Sequence, residues 1–170
     1  VYRYTPQAID DDRRIVSVST YAIDVEVKSL ASALEGDQEL AMHSRVTLLD
    51  GSIQHLPMVD FVGHLSPSHI DRIAVLAAEL DSGVAIFESG RSFHAYFLTL
   101  LAHNAWLKFL GRLLLLNAPD ENQWVDIRWV GHGLLAGFSS LRWTHHTKTY
   151  RAVPQLVWSA PVLHSTDTAQ

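Results

Sequence analysis

The chain reads as an α+β protein. Apolar alternation marks several short strands, two segments carry apolar residues at helical spacing, and the two kinds of segment interleave with no internal repeat. Its 170 residues suit a single domain. A chain of that length buries roughly 70% of its unfolded surface, enough for a core without covalent staples. There is no cysteine, which excludes a disulfide framework, a thiolate zinc site and a cysteine nucleophile. A hydrophobic fraction of 48% against 18% charged residues is that of a folding chain, not of a disordered one. No apolar run approaches bilayer length, and the first ten residues lack the basic-then-apolar order of a secretory signal. A soluble, cytoplasmic domain with no membrane partner is expected.

Each element follows from local chemistry. Residues 1–13 are polar, end in Asp10-Asp11-Asp12, and read as a flexible lead-in. Ile15 to Val27 alternate and are rich in Val, Ile, Ser, Thr and Tyr, which predicts a strand. Ser29 to Leu40 is ambiguous between a short helix and a loop around Glu35-Gly36-Asp37. Arg45–Leu49 and Ile53–Phe61 flank Asp50-Gly51, a hairpin signal whose turn needs positive φ. Pro57 to Val62 reads as a mostly buried strand holding one carboxylate, Asp60.

Ser66 can cap a helix and Pro67 fits its first position; Ile70, Ile73, Ala74, Ala77 and Leu80 then repeat at helical spacing up to Asp81-Ser82-Gly83. Val84–Glu88 and Phe93–Leu98 are strands around the turn Ser89–Ser92. Leu101–Leu116 is a second, mostly apolar helix. Trp124–Arg128 is expected as a strand, Val130–Ala136 as a turn of helix, Ser139–Thr144 and Gln155–Ser159 as strands, and 160–170 as a tail. Residues 14–159 thus form one domain, with a β-rich N-terminal lobe over 14–55 and a core over 56–159.

Three constellations carry chemistry. Asp60 lies within an apolar strand, where a carboxylate is costly unless a metal, a base or a hydrogen bond meets it. Ser89-Gly90-Arg91-Ser92-Phe93-His94 offers backbone amides, a hydroxyl, a guanidinium and an imidazole within six residues, a set suited to polyphosphate oxygens. In Val125-Asp126-Ile127-Arg128 a second carboxylate sits among apolar neighbours, and on a strand Arg128 shares its face. The net charge of −5 hides an asymmetry: Val1 to Asp60 holds ten acids and five basic residues, whereas 127–166 has no acid but carries Arg128, Arg142, Lys148 and Arg151.

In this order the three pieces resemble the archaeo-eukaryotic primase superfamily, which includes the primase-polymerases. That family places a carboxylate on a strand, then a helix, a strand leading to a Ser-Gly-Arg…His turn, and later an aspartate followed by basic residues. The resemblance covers residues 56–158 and is most specific at Ser89-Gly90-Arg91 with His94. It implies a primase-like core: a small mixed or antiparallel sheet with flanking helices. It implies nucleotidyl transfer from an NTP or dNTP to a 3′-hydroxyl, with a DNA or RNA template or primer and other domains or subunits of a larger protein as expected partners. Asp60 and Asp126 would be the catalytic, metal-holding acids for Mg²⁺ or Mn²⁺. Ser89, Arg91 and His94 would bind the triphosphate, with Arg142 and Lys148 as further phosphate or template contacts. The family's first motif has two acids separated by one residue; here the second position is Val62. Two alternatives follow: a primase-like module that binds nucleotide or nucleic acid without turnover, and a structural domain of a larger assembly.

Other chemistries fit less well. Asp24-Val25-Glu26 has two acids at the same spacing, but no clean helix leads from it into the Ser-Gly-Arg turn. Gly131-His132-Gly133-Leu134-Leu135-Ala136 matches a dinucleotide fingerprint but lacks the ribose-binding acid about 20 residues on. There is no phosphate-binding P-loop and no G-x-S-x-G serine elbow. For zinc there is no H-E-x-x-H; His145 and His146 are adjacent and point apart on a strand, and His69 falls in the expected helix whereas His64 precedes its cap.

Overall fold

The computed structural model describes residues 1–3, 12–119, 122–148, 150 and 152–161. Most of the expected lead-in and tail lie outside these residues. The N-terminal part pairs β1 (Tyr2–Arg3) with β2 (Asp12–Arg13) and with β3 (Gln38–Glu39). Helix α1 (Ile23–Ser32) lies between them in sequence. The expected strand over Ile15–Val27 is not formed: Ile15–Ser19 has no regular structure, and Ile23–Val27 is helical. β-Branched residues favour strands only where a neighbour pairs with them, and here none does. The lobe over 14–55 therefore holds a helix as well as short strands.

The Asp50-Gly51 hairpin is present: β5 (Arg45–Thr47) pairs antiparallel with β6 (Ile53–His55), and Gly51 has φ 82°. The single strand expected over Ile53–Phe61 is split at Leu56-Pro57 into β6 and β7 (Met58–Phe61). Proline has no N–H for a ladder, though the Pro57 carbonyl accepts from Phe97 N at 2.9 Å.

The main sheet has the order β11-β8-β9-β7 and is wholly antiparallel, from β11 (Gln155–Ala160), β8 (Val84–Glu88), β9 (Phe93–Phe97) and β7. Helix α2 (Pro67–Glu79) starts as expected, with Ser66 as cap and His69 completing a capping box. It packs with α3 (His103–Leu115) against one face of this sheet. That face contributes Val59, Phe61, Val84, Ile86, Phe93, Ala95 and Phe97, which meet Ile73, Trp106, Phe109, Leu110 and Leu113. The other face carries Met58, Asp60, His94 and Tyr96, and there Leu141 closes a smaller cluster. Leu141 belongs to β10 (Ser140–Arg142), which pairs with β4 (Ala41–His43) and so joins the N-terminal part to the core.

The strand expected over Trp124–Arg128 is reduced to one antiparallel bridge, Val125 to Phe61. Asp126 is instead the N-cap of helix α4 (Ile127–Ala136), so Arg128 lies in a helix and does not share a strand face with Asp126. The helix reaches back to Ile127 because Asp126 caps it, and Gly137, at φ 73°, ends it in the left-handed conformation.

Candidate active site

The sheet register brings the site together. On β7 and β9, Asp60 pairs with His94, and across β9 and β8, His94 pairs with Phe87. On the other side of β7, Asp126 N donates to Asp60 O at 3.0 Å and Val62 N to Trp124 O at 2.8 Å, flanking the Phe61–Val125 bridge. That register sets Asp126 directly across from Asp60. Residues so opposed have Cβ atoms about 4.5–5.5 Å apart. Asp126, Asp60, His94 and Phe87 therefore form one row across the sheet, although 66 positions separate the two acids in sequence.

Each member has a distinct environment. The Asp60 side chain is 24% exposed, yet its Oδ1 is buried without a hydrogen-bond partner, 3.6 Å from His94 Nε2. Burial, and then the nearby Asp126 charge, push the Asp60 carboxyl up to about 8, against the pull of Arg142. His94 is pushed down to about 3, by burial and then by Arg142. The Asp60–His94 contact is thus not an ion pair at neutral pH: a neutral imidazole faces a carboxyl that resists ionisation. Asp126 accepts from Arg128 N at 2.8 Å and Trp129 N at 3.1 Å, and both bonds fall on Oδ1.

The residues that could hold a divalent cation are these two opposed acids, Asp60 with its orphaned buried oxygen and Asp126. Among the described residues no group of three or more His, Asp or Glu is placed to hold a metal. Two carboxylates match the protein share of a magnesium-type ion's shell, which substrate phosphates and water complete. Glu88 pairs with Phe93 and so lies on the helix-backed face, away from Asp60; His64 is exposed beyond Gly63. Val62, two residues from Asp60, is 40% exposed.

The Ser89–Ser92 turn closes the β8–β9 hairpin one residue from this row. Ser89 N and Oγ both bond to Ser92 O, at 2.9 and 3.1 Å, and the two hydroxyls are 3.0 Å apart. Gly90 takes φ 105°, which side chains rarely adopt. Ser89 is buried and shapes the turn, while Arg91 stands exposed at its tip. Lys148 is exposed on the segment after β10. Arg142, in contrast, is 6% exposed, and its guanidinium is committed to backbone carbonyls.

One residue escaped the sequence reading altogether: Glu39, fully buried. Its partners lie 105 to 108 residues away, so no local pattern marks it.

An antiparallel sheet backed by helices, with two opposed acids and a Ser-Gly-Arg turn beside an in-register histidine, defines an α+β domain of primase type. The family model described as AEP-like, archaeo-eukaryotic primase 1D-like, matches residues 18–155, and the chain belongs to that family. Neither a curated protein nor a solved structure matches the chain.

Proposed function

We propose that the row Asp126–Asp60–His94 is the reaction centre of a nucleotidyltransferase that takes an NTP or dNTP and extends a DNA or RNA 3′-hydroxyl. The observation that carries this reading is the cross-strand register, which opposes two acids beside the Ser-Gly-Arg turn. The hydroxyl attacks the α-phosphorus, the new phosphodiester forms, and pyrophosphate leaves. Asp60 and Asp126 would hold Mg²⁺ or Mn²⁺, which when bound offsets the charge on the attacking and leaving oxygens. Arg91 meets the non-reacting phosphate oxygens from the tip of the turn, and the turn's backbone fixes where that guanidinium stands. His94, neutral and buried, offers a hydrogen bond rather than a charge. Lys148 adds positive charge at the rim, in a stretch that carries no acid from 127 to 166.

A second reading is a nucleotide-binding module without turnover. Val62 favours it, because the only side chain two residues from Asp60 on its outward side is apolar. Primer extension with Mn²⁺, beside calorimetric titration of ATP, separates the two. Under the first reading, Asp60→Ala and Asp126→Ala each lower extension by at least about 100-fold. Extension that survives both changes refutes the assigned site. ATP binding that requires Arg91 and His94 with no extension by the wild type establishes the second reading.

A further inference from the structure

Two charged side chains, Glu39 and Arg142, are buried behind the site yet belong neither to its row of acids nor to its turn. The Arg142 guanidinium spans three carbonyls. Nη2 donates to Ser89 O at 3.1 Å, and Nη1 donates to Ala152 O at 2.9 Å and to Thr144 O. Its plane lies over the Tyr150 ring, 4.1 Å from the centroid. Ser89 opens the turn that carries Arg91; Thr144 and Ala152 bracket the segment that carries Lys148. One side chain therefore ties the two ends of that segment together and ties both to the turn.

Glu39 holds the same segment from the other side. Oε1 accepts from His146 N at 2.9 Å, Thr147 N at 2.7 Å and Thr147 Oγ1 at 2.9 Å, while Oε2 accepts from Thr144 Oγ1. Thr144 is the meeting point, with its hydroxyl on Glu39 and its carbonyl on Arg142.

We infer that Arg142 is a positioning residue for the triphosphate: with Glu39 it forms a buried clamp that fixes the Arg91 turn and the Lys148 segment relative to each other. The inference rests on the nucleotide reading given above. To reach a phosphate, Arg142 would have to abandon three carbonyls in the interior, and unsatisfied buried acceptors are costly. Of the cations proposed to meet the triphosphate, Arg91 and Lys148 are the exposed ones. Two cations on independent loops must be ordered at the moment of binding; on a clamped backbone that ordering is already done.

The test uses the full chain with Arg142→Lys, Arg142→Met, Glu39→Gln and the milder Thr147→Val. Affinity for ATP is read by calorimetry and backbone exchange of the 86–94 and 143–148 peptides by mass spectrometry. Lysine keeps the charge but cannot span three carbonyls. Both Arg142 variants are therefore expected to weaken ATP by about tenfold or more and to speed exchange in the turn. Glu39→Gln removes a negative charge, which simple electrostatics would turn into tighter ATP binding; the clamp predicts weaker binding. Thr147→Val loses one hydroxyl bond and should weaken ATP by roughly two- to threefold. It carries the test with Glu39→Gln if the Arg142 variants do not fold.

Wild-type affinity in Arg142→Lys would make Arg142 a point-charge ligand and overturn the inference. So would tighter binding by Glu39→Gln, or faster exchange with ATP affinity unchanged in the variants, which is a structural role alone. If the wild type binds no ATP, the nucleotide reading fails and takes the positioning role with it. Turn exchange in Arg142→Lys then reports whether the clamp itself exists.

Discussion

The two faces of the β11-β8-β9-β7 sheet are made by the same strands and differ in almost every physical respect. The helix-backed face is apolar at its centre: Val59, Val84, Ile86, Phe93, Ala95 and Phe97 are fully buried, and its one charged residue on these strands, Glu88, is exposed at the end of β8. The opposite face interleaves Met58 and Tyr96 with Asp60 and His94. Part of it borders a cleft of about 530 Å³ lined by Met42, Leu56, Phe87, Tyr96 and Trp143, beneath a helix α1 none of whose residues is buried. Because side chains alternate along a strand, stability and chemistry are separated here by the parity of the residue number. On β9, Phe93 serves the core and His94 the site, with no residue between them.

Changes to either face test that separation. The largest effect is expected from Phe93→Ala, which removes a fully buried ring stacked on Phe61 at 4.7 Å. Urea denaturation should show a loss of about 3–5 kcal/mol. A loss below about 1 kcal/mol would mean that the helix-backed face is not the stabilising one.

Acid should act through the histidines and spare the helix-backed face. Burial pushes His94 down to about 3, with Arg142 adding to it, and pushes His55 down to about 4, with His103 adding to it. The unfolded chain binds protons near pH 6.5 that these folded sites refuse. The histidines' contribution is therefore complete above about pH 6.5 and falls as the pH drops toward 4, by on the order of 2 kcal/mol per histidine between pH 7 and 5. Asp60, raised to about 8 by burial and the Asp126 charge, keeps a proton the unfolded chain releases and offsets part of that fall. Glu39 adds a lower window. Burial alone would raise its pKa, but hydrogen bonds from Thr144, Thr147 and His146 outweigh burial and hold it below 4.5, so its contribution is lost below that pH. Denaturation midpoints measured from pH 7 to 4 should fall, and His55→Gln should flatten part of that fall. In Asp60→Asn, which removes the opposing carboxyl, a flat profile would contradict the burial of neutral imidazoles.

The smallest effect on stability belongs to Val62→Asp. The site is 40% exposed, so the change should stay within about 0.5 kcal/mol. It also places a third carboxylate beside Asp60 and Asp126, and Mn²⁺ affinity measured by calorimetry should rise about tenfold. An unchanged affinity would mean that position 62 does not look into the cation site.

Much of this was legible in the sequence where the signal was local. Ser66-Pro67 with its apolar spacing, Asp50-Gly51, and the strands flanking Ser89–Ser92 all form as the residues dictate. Asp60 was recognisable as a carboxylate out of place in an apolar strand. The failures have physical causes. Ile23–Val27 has strand-like composition but no strand to pair with, and it folds as helix. Asp126 was read as a strand residue, although Asp126 followed by Val130 and Leu134 and closed by Gly137 is a capped-helix pattern. Arg142 was legible only as a positive charge, not as a buried one, and Glu39 gave no signal, since a buried charge is defined by partners that only the folded chain brings near.

Asp126 stands at a junction of two equilibria. Its carboxylate caps α4 through the amides of Arg128 and Trp129 and also faces the centre of the row. Under the proposed function, a cation at that centre would act on the carboxylate that starts the helix, which would link occupancy to the fraying of α4's first turn. Trp129 lies in that turn, and its indole N–H reaches Ser140 O on β10 at 2.7 Å. Under the proposed function, the end of a helix, rather than a hinge or a loop, is the physical link between the row of acids and the strand that carries Arg142.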